Sequence, residues 1–354
     1  MGSSRPDFEI LLRAAQRLSL GQTVYQLADH AEHTKAPGLT WLMQVFLLVP
    51  EWLAKGIWDA LMWGSLLWLG GLSGIGFSAG VLGWLIAAGP WWAEMRLGQT
   101  NLILAALSLG VPTWESKNPS QFRSAALGSV CLLAFLLKPT QLILIPWMVS
   151  HAVSQGRLRW IVFGFLGLGS ILSVGYTLQW GWNPWVSAHR DWLAFLPLSE
   201  AKHLMRTDNL GLTTQVSRWV GNEGLSGFEA KLFLALGLMG AILSVRRWRG
   251  LSLQAFADAL FLSVVCSPMA WRQNFSPLFL MLSWAVIQSE GFSLPRKAVF
   301  WFCSLAFSLL GADLLGAAGA AAFGQWGGPL WLVILAGWSA RAAPHLKTQL
   351  SRNF

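Results

Sequence analysis

The 354-residue chain is 54% hydrophobic and only 12% charged, with a mean hydropathy of +0.50. Soluble domains carry roughly 25% charged residues, so this composition excludes an ordinary soluble globular protein. The net charge of +9 is spread along the chain rather than gathered on one basic face, which excludes a nucleic-acid-binding module.

Residues 1–38 open on Arg5-Pro-Asp7-Phe8-Glu9 and run into an amphipathic stretch reaching Tyr25. Arg13 and Arg17, at i and i+4, share one face of that helix. This segment is expected as an outer-face loop carrying an amphipathic helix. His30 and His33 stand three residues apart with no third ligand nearby, so no metal site is expected.

Residues 39–180 predict a first helical bundle. Its blocks Leu66–Leu85, Ala125–Leu137 and Ile161–Leu178 are nearly free of charge, and ~20 apolar residues make one helical crossing of a bilayer. Backbone polar groups in lipid must be satisfied within the segment, so helices are the expected spanning element. The blocks lack the dyad alternation of a transmembrane barrel. Gly74-Ile-Gly76 and Gly80 miss the dinucleotide fingerprint and sit in an apolar block, where small residues serve helix packing.

Two polar islands interrupt these blocks. The stretch Trp91–Asn101 holds Gly98, suited to a tight turn, with the amides of Gln99 and Asn101. In Lys138-Pro139-Thr140-Gln141 the proline breaks the helix and leaves a lysine at the break. Such a lysine is either a phosphate ligand at a discontinuous helix or a snorkelling side chain.

Residues 181–228 predict an outer loop with His189, Arg190, Asp191, His203, Arg206, Asp208, Asn209 and Arg218. Residues 229–354 predict C-terminal helices and a basic cytoplasmic tail. Their apolar blocks are Leu232–Val245, Phe275–Ile287, Val299–Leu310 and Leu330–Ala340, and the turn Ser267–Asn274 brings Trp271, Arg272, Gln273 and Asn274 to the membrane surface. In total, roughly ten to twelve crossings are expected from the blocks. Cys131, Cys266 and Cys303 lie in apolar surroundings without metal spacing, which points to burial rather than disulfides.

The 23 tryptophans gather at block ends, among them Trp41, Trp52, Trp91, Trp92, Trp180, Trp182, Trp185 and Trp326; indole favours the headgroup level. Basic residues cluster at Arg157/Arg159, Arg246/Arg247/Arg249, Arg296/Lys297 and Arg341/Lys347/Arg352. The positive-inside rule makes those segments cytoplasmic and puts 181–228 and 268–274 at the outer face. The reading is an all-α, multi-pass protein of the cytoplasmic membrane with its polar sites facing outward. Ionisable residues that survive beside a bilayer are then the functional candidates.

These polar sites recur in order in a known family. Asp7-Phe8 with Gly21 and Tyr25, the Pro37–Pro50 segment, Gly98-Gln99-Thr100-Asn101-Leu102, Lys138-Pro139, Asn209 with Leu212 and Arg218, and Ser267-Pro268-x-x-Trp271 carry the likeness. Over roughly residues 7 to 290 the chain resembles the polyprenol-phosphate-mannose-dependent mannosyltransferases of glycosyltransferase family 87, which have the GT-C fold. The resemblance implies inverting transfer of a hexose, usually mannose, from a polyprenyl-phosphate donor to a lipid-linked or surface glycan acceptor outside the cytoplasmic membrane. No cofactor is expected, the lipid-phosphate sugar acting as substrate, and a divalent ion shared between an Asp and the lipid phosphate stays open.

Within the resemblance, Asp7 takes the role of general base. Lys138, Arg206, Arg218 and Arg272 are candidates for the phosphate. Gln99, Asn101 and Asn209 are candidates for sugar hydroxyls, and Trp271 for the sugar face or the pocket wall. The family places a transmembrane helix before its Asp-Phe element, where this sequence has Met1–Pro6; it also often carries a histidine after Ser-Pro-x-x-Trp, where this chain has Arg272-Gln273-Asn274. Two other readings stay open. A lipid-linked sugar transporter or flippase predicts internal repeats, and nothing in the second half mirrors Gly98–Asn101 or Lys138–Pro139. An inactive, truncated homologue serving as a membrane scaffold predicts that Asp7→Ala changes nothing.

Overall fold

Proline's fixed φ suits a first helical turn, and carboxylates there meet the positive end of the helix dipole. Pro6, Asp7 and Glu9 accordingly open helix α1 (Pro6–Ser19), and Gly21, at φ +68°, turns the chain out of it. The structure of the chain, a computed structural model, describes residues 6–25, 35–72, 88–204, 206, 208–220, 227–248, 253–279, 293–310 and 312–340. His30, His33, Gly74, Gly76, Gly80, Arg249, Arg341, Lys347 and Arg352 lie outside the described residues. The architecture is all-α, with no strand among the described residues.

After α1 come α2 (Pro37–Leu42), the 3-10 turn Met43–Leu48 and α3 (Glu51–Leu72). Helix α4 (Ala88–Leu97) leads through Gly98 into α5 (Asn101–Lys117). Ser120 caps α6 (Gln121–Leu137), its hydroxyl accepting from the Arg123 N–H at 3.2 Å. The expected break after Leu137 is present: Lys138 is extended, and a 3-10 turn (Pro139–Ile143) precedes α7 (Ile145–Ser154) and α8 (Leu158–Trp180).

The segment expected as an outer loop is mostly helical, forming α9 (Trp182–Leu204) and α10 (Leu212–Val220). Trp192 and Phe195 on α9 are buried, so its inner face supports a helix that the preceding His189, Arg190 and Asp191 disguise. The remaining helices are α11 (Gly227–Trp248), α12 (Leu253–Val265), α13 (Leu294–Leu309), α14 (Ala312–Gln325) and α15 (Gly328–Ala340), with a 3-10 turn at Arg272–Phe275.

Among the described residues, α8 alone is long and apolar enough to cross a membrane, and α13 with residues 314–325 qualifies as a pair bent by 109°. Helix length among the described residues thus supports one or two crossings, not the ten to twelve expected from the blocks. One proline break shortens a block, Pro139 stopping α6 after 17 residues, and parts of the blocks Leu66–Leu85 and Phe275–Ile287 lie outside the described residues. Helices α6, α12 and α15 remain apolar but shorter.

The core is assembled from Phe8, Trp58, Leu102, Leu127, Trp147, Phe256, Phe275 and Phe307. Outward faces are apolar as well: Val162, Phe163, Leu166 and Leu178 on α8, Leu232, Leu236 and Leu243 on α11, and Phe302 and Leu309 on α13 are exposed. Trp52, Trp92, Trp182 and Trp326 are exposed too, while all three cysteines are free and buried.

Helices α6 and α8 approach backbone to backbone. A Cβ on Gly128 would fall on the Ile161 carbonyl and one on Gly164 on the Ala125 carbonyl, and the Ser129 hydroxyl donates to Gly164 O at 3.0 Å. Small residues permit this approach. Gly128→Val is expected to pry the helices apart at a cost of roughly 1–3 kcal/mol, read as a lowered melting temperature of the purified protein.

Charge collects at one end of these helices. The buried Glu115 carboxylate accepts from Ser124 and from Arg157, each at 2.9 Å. Lys138 lies at the opposite end of α6, about 22 Å along its axis from Arg123.

Candidate functional site

The first turn of α1 is fixed by its neighbours. The Phe8 ring stacks on Trp58 at 4.7 Å and meets Phe46 edge-on at 5.5 Å. Glu9 pairs with Lys55 at 2.8 Å, and Lys55 also pairs with Glu51 at 2.8 Å. Trp58 in turn donates its indole N–H to Gly98 O at 3.0 Å. Gly98 adopts φ +73°, a conformation glycine reaches without a Cβ clash, and swings the chain from α4 to α5. Asp7 and Gln99 are thereby brought into side-chain hydrogen-bond contact.

Lys35 joins them from a distant stretch. The Tyr25 hydroxyl donates to the Lys35 carbonyl at 2.8 Å, and the Ala36 N–H donates to Leu136 O at 3.3 Å. These bonds lay residues 35–36 against the end of α6, close enough to Lys138 for the two ammonium groups to repel. Burial pushes the Asp7 carboxyl above its ordinary range, opposed by the Gln99 hydrogen bond and by Lys35. Burial likewise pulls the Lys35 ammonium down, opposed by Asp7.

Lys138 is extended because the following proline disfavours the helical region. Its Nζ donates to Asn101 Oδ1 at 3.2 Å, and Asn101 Nδ2 donates to Gln99 Oε1 at 2.9 Å. With its amide oxygen turned to the ammonium, Asn274 accepts from Lys138 Nζ at 3.0 Å and from the Trp271 N–H at 3.2 Å. An ammonium has three donors, so these two amides leave one for a ligand. The described ion pairs involve neither Lys35 nor Lys138. Asp7, Lys35, Gln99 and Lys138 are all half-buried, so this polar recess is partly open to solvent.

Beneath the recess lies Glu94, fully buried. One carboxylate oxygen accepts from the Leu102 N–H at 2.6 Å and the other from the Ser276 hydroxyl. Glu94 thus caps α5 and ties it to the segment after Phe275. Lys35, Glu94, Asn274 and Ser276 are the contributors that sequence reasoning leaves out of the site.

The other predicted residues assemble beside this recess. Arg206 pairs with Asp208 at 2.7 Å and lies over the Trp271 ring at 5.2 Å, with His203 edge-on to the same ring. Asn209 donates to Pro268 O at 2.8 Å and accepts from Ala270 N and Gly211 N at 2.9 and 3.1 Å. Arg218 donates to the carbonyls of Arg206 and Asn209 at 2.7 and 3.1 Å. Asn209 therefore spends its amide bracing the turn that carries Trp271 and Asn274, while Arg218 holds the stretch 206–215 and keeps a buried Nε without a partner among the described residues. Arg272 opens the 3-10 turn, and its side chain lies outside the described residues.

The structure brings Asp7, Gln99, Asn101 and Lys138 into one recess and sets Arg206, Asn209, Arg218 and Trp271 across the neighbouring turn. No group of three His, Cys, Asp or Glu able to hold a metal occurs among the described residues. Chemically, the recess offers one proton acceptor, two cations and a set of amides. Compared with known proteins, the chain matches no family model, no curated protein and no solved structure.

Proposed function

We propose that the protein is a membrane glycosyltransferase that moves a hexose, mannose by the sequence resemblance, from a polyprenyl-phosphate donor to a glycan or glycolipid acceptor. The observation that carries the reading is the recess itself. A carboxylate from α1, an ammonium from the segment before α2 and another from the α6 break share one half-exposed space. Asp7 removes the acceptor hydroxyl proton as that oxygen bonds to the anomeric carbon. The bond from that carbon to the phosphate oxygen breaks in the same displacement, inverting the centre. The departing phosphate gathers charge where Lys138 and Lys35 stand.

Membrane embedding is supported by the apolar outward faces of α8, α11 and α13, since contiguous exposed apolar surface marks a membrane or partner contact. The opposed placement of Glu115–Arg157 and Lys138 along α6 and α8 fits a cytoplasmic end and an outer, catalytic end.

The test uses membranes containing the protein, given radiolabelled polyprenyl-phosphate-mannose and a lipid and glycan extract from the source cells. Label entering new products supports the proposal, and the absence of transfer from this donor overturns it. The pH profile adds a check on the recess. Asp7 must be ionised to accept a proton, so activity rises with pH through its pKa. Lys35 holds that pKa down, so Lys35→Met is expected to move the acid limb to higher pH.

A further inference from the structure

A second recess, about 250 Å³, opens at the far end of α1. Its walls come from the end of α1 and the stretch to Tyr25, the start of α2, the end of α8 and the start of α9. Both tyrosines of the chain line it, Tyr25 and Tyr176, beside Trp180, and the Tyr176 and Trp180 rings lie 4.9 Å apart. Thr40, Ser187 and Asp191 supply hydroxyls and a carboxylate, the last two one helical turn apart on α9. Among the described residues no lysine, arginine or histidine lines the recess. Among the described residues nothing hydrogen-bonds the Tyr176 hydroxyl.

We infer that this recess is a subsite for a neutral oligosaccharide, holding the sugars of the acceptor that lie beyond the reacting one; this rests on the transferase reading. Aromatic rings with polar edges take the apolar face of a sugar ring. Hydroxyl and carboxylate oxygens take its hydroxyl donors. The described lining, hydroxyls and a carboxylate without a cation, suits a neutral ligand better than a phosphate, which the Lys35–Lys138 recess suits. The two recesses are joined twice. Tyr25 lines one and hydrogen-bonds the Lys35 carbonyl at the other. Helix α1 runs unbroken from Asp7 to Leu18, at the edge of the second recess, about three turns or roughly 16 Å. A ligand reaching both spans more than one sugar ring.

The test is equilibrium dialysis of the full-length protein in nanodiscs against radiolabelled trisaccharides of mannose, glucose or N-acetylglucosamine. Binding of at least one is expected, weakened about tenfold by Tyr176→Phe or Asp191→Asn and unchanged by Lys138→Met. No binding of any trisaccharide, or binding indifferent to both recess substitutions, overturns the inference. Because Lys138→Met weakens the donor site and leaves trisaccharide binding intact, a failure of the transferase reading shows in the transfer assay alone.

Discussion

Asp7→Asn is expected to slow sugar transfer by roughly 10²–10⁴-fold, the usual contribution of a positioned general base, while donor binding stays near that of the parent. The amide is nearly isosteric and can still bond to Gln99, so the geometry of the α1 turn survives. Burial already disfavours the charged form of Asp7, so removing the charge is expected to leave the melting temperature unchanged or slightly raised. A loss of rate without a loss of stability is the signature of a chemical role. Initial rates at saturating donor, paired with a melting curve, separate the two. An unchanged rate assigns the base elsewhere and favours the scaffold reading.

Lys138→Met is expected to raise the KM for the lipid-phosphate donor by roughly 10–100-fold, in line with a lost charge-assisted hydrogen bond of about 1.5–3 kcal/mol. The kcat falls as well if the phosphate draws more charge in the transition state than in the bound donor. Lys138→Arg keeps the charge but presents a wide planar fork to Asn101 and Asn274, so it restores activity only in part. Donor titrations of the three proteins decide the matter. Parental KM and kcat in the Met variant identify Lys138 as a snorkelling side chain without a ligand.

The two site elements easiest to read from sequence are those with strong local causes. Pro139 forces Lys138 out of the helix, and Gly98 alone tolerates the turn that carries Gln99 and Asn101. Lys35 is hidden because its place depends on the Tyr25 hydroxyl and on Ala36 meeting Leu136, contacts between positions far apart in the chain. Glu94 reads as an interfacial charge beside Trp91 and Trp92, yet it is buried because the start of the next helix needs an acceptor. Asn274 reads as turn chemistry until the fold carries the turn to Lys138. At the level of architecture, helix was legible from the blocks, whereas crossing number was not. Hydrophobic runs report burial in lipid or in protein alike, and prolines divide them into shorter helices.

Helix α1 carries Asp7 in its first turn and borders the aromatic recess with its last, with no break between. A rigid rod of that kind acts as a gauge. Inserting one residue would advance its far end by about 1.5 Å and rotate it by about 100° relative to Asp7, taking Leu18 off its wall. The length of this helix, rather than the identity of its exposed residues, would then set how far from the growing end of a glycan the next sugar is attached.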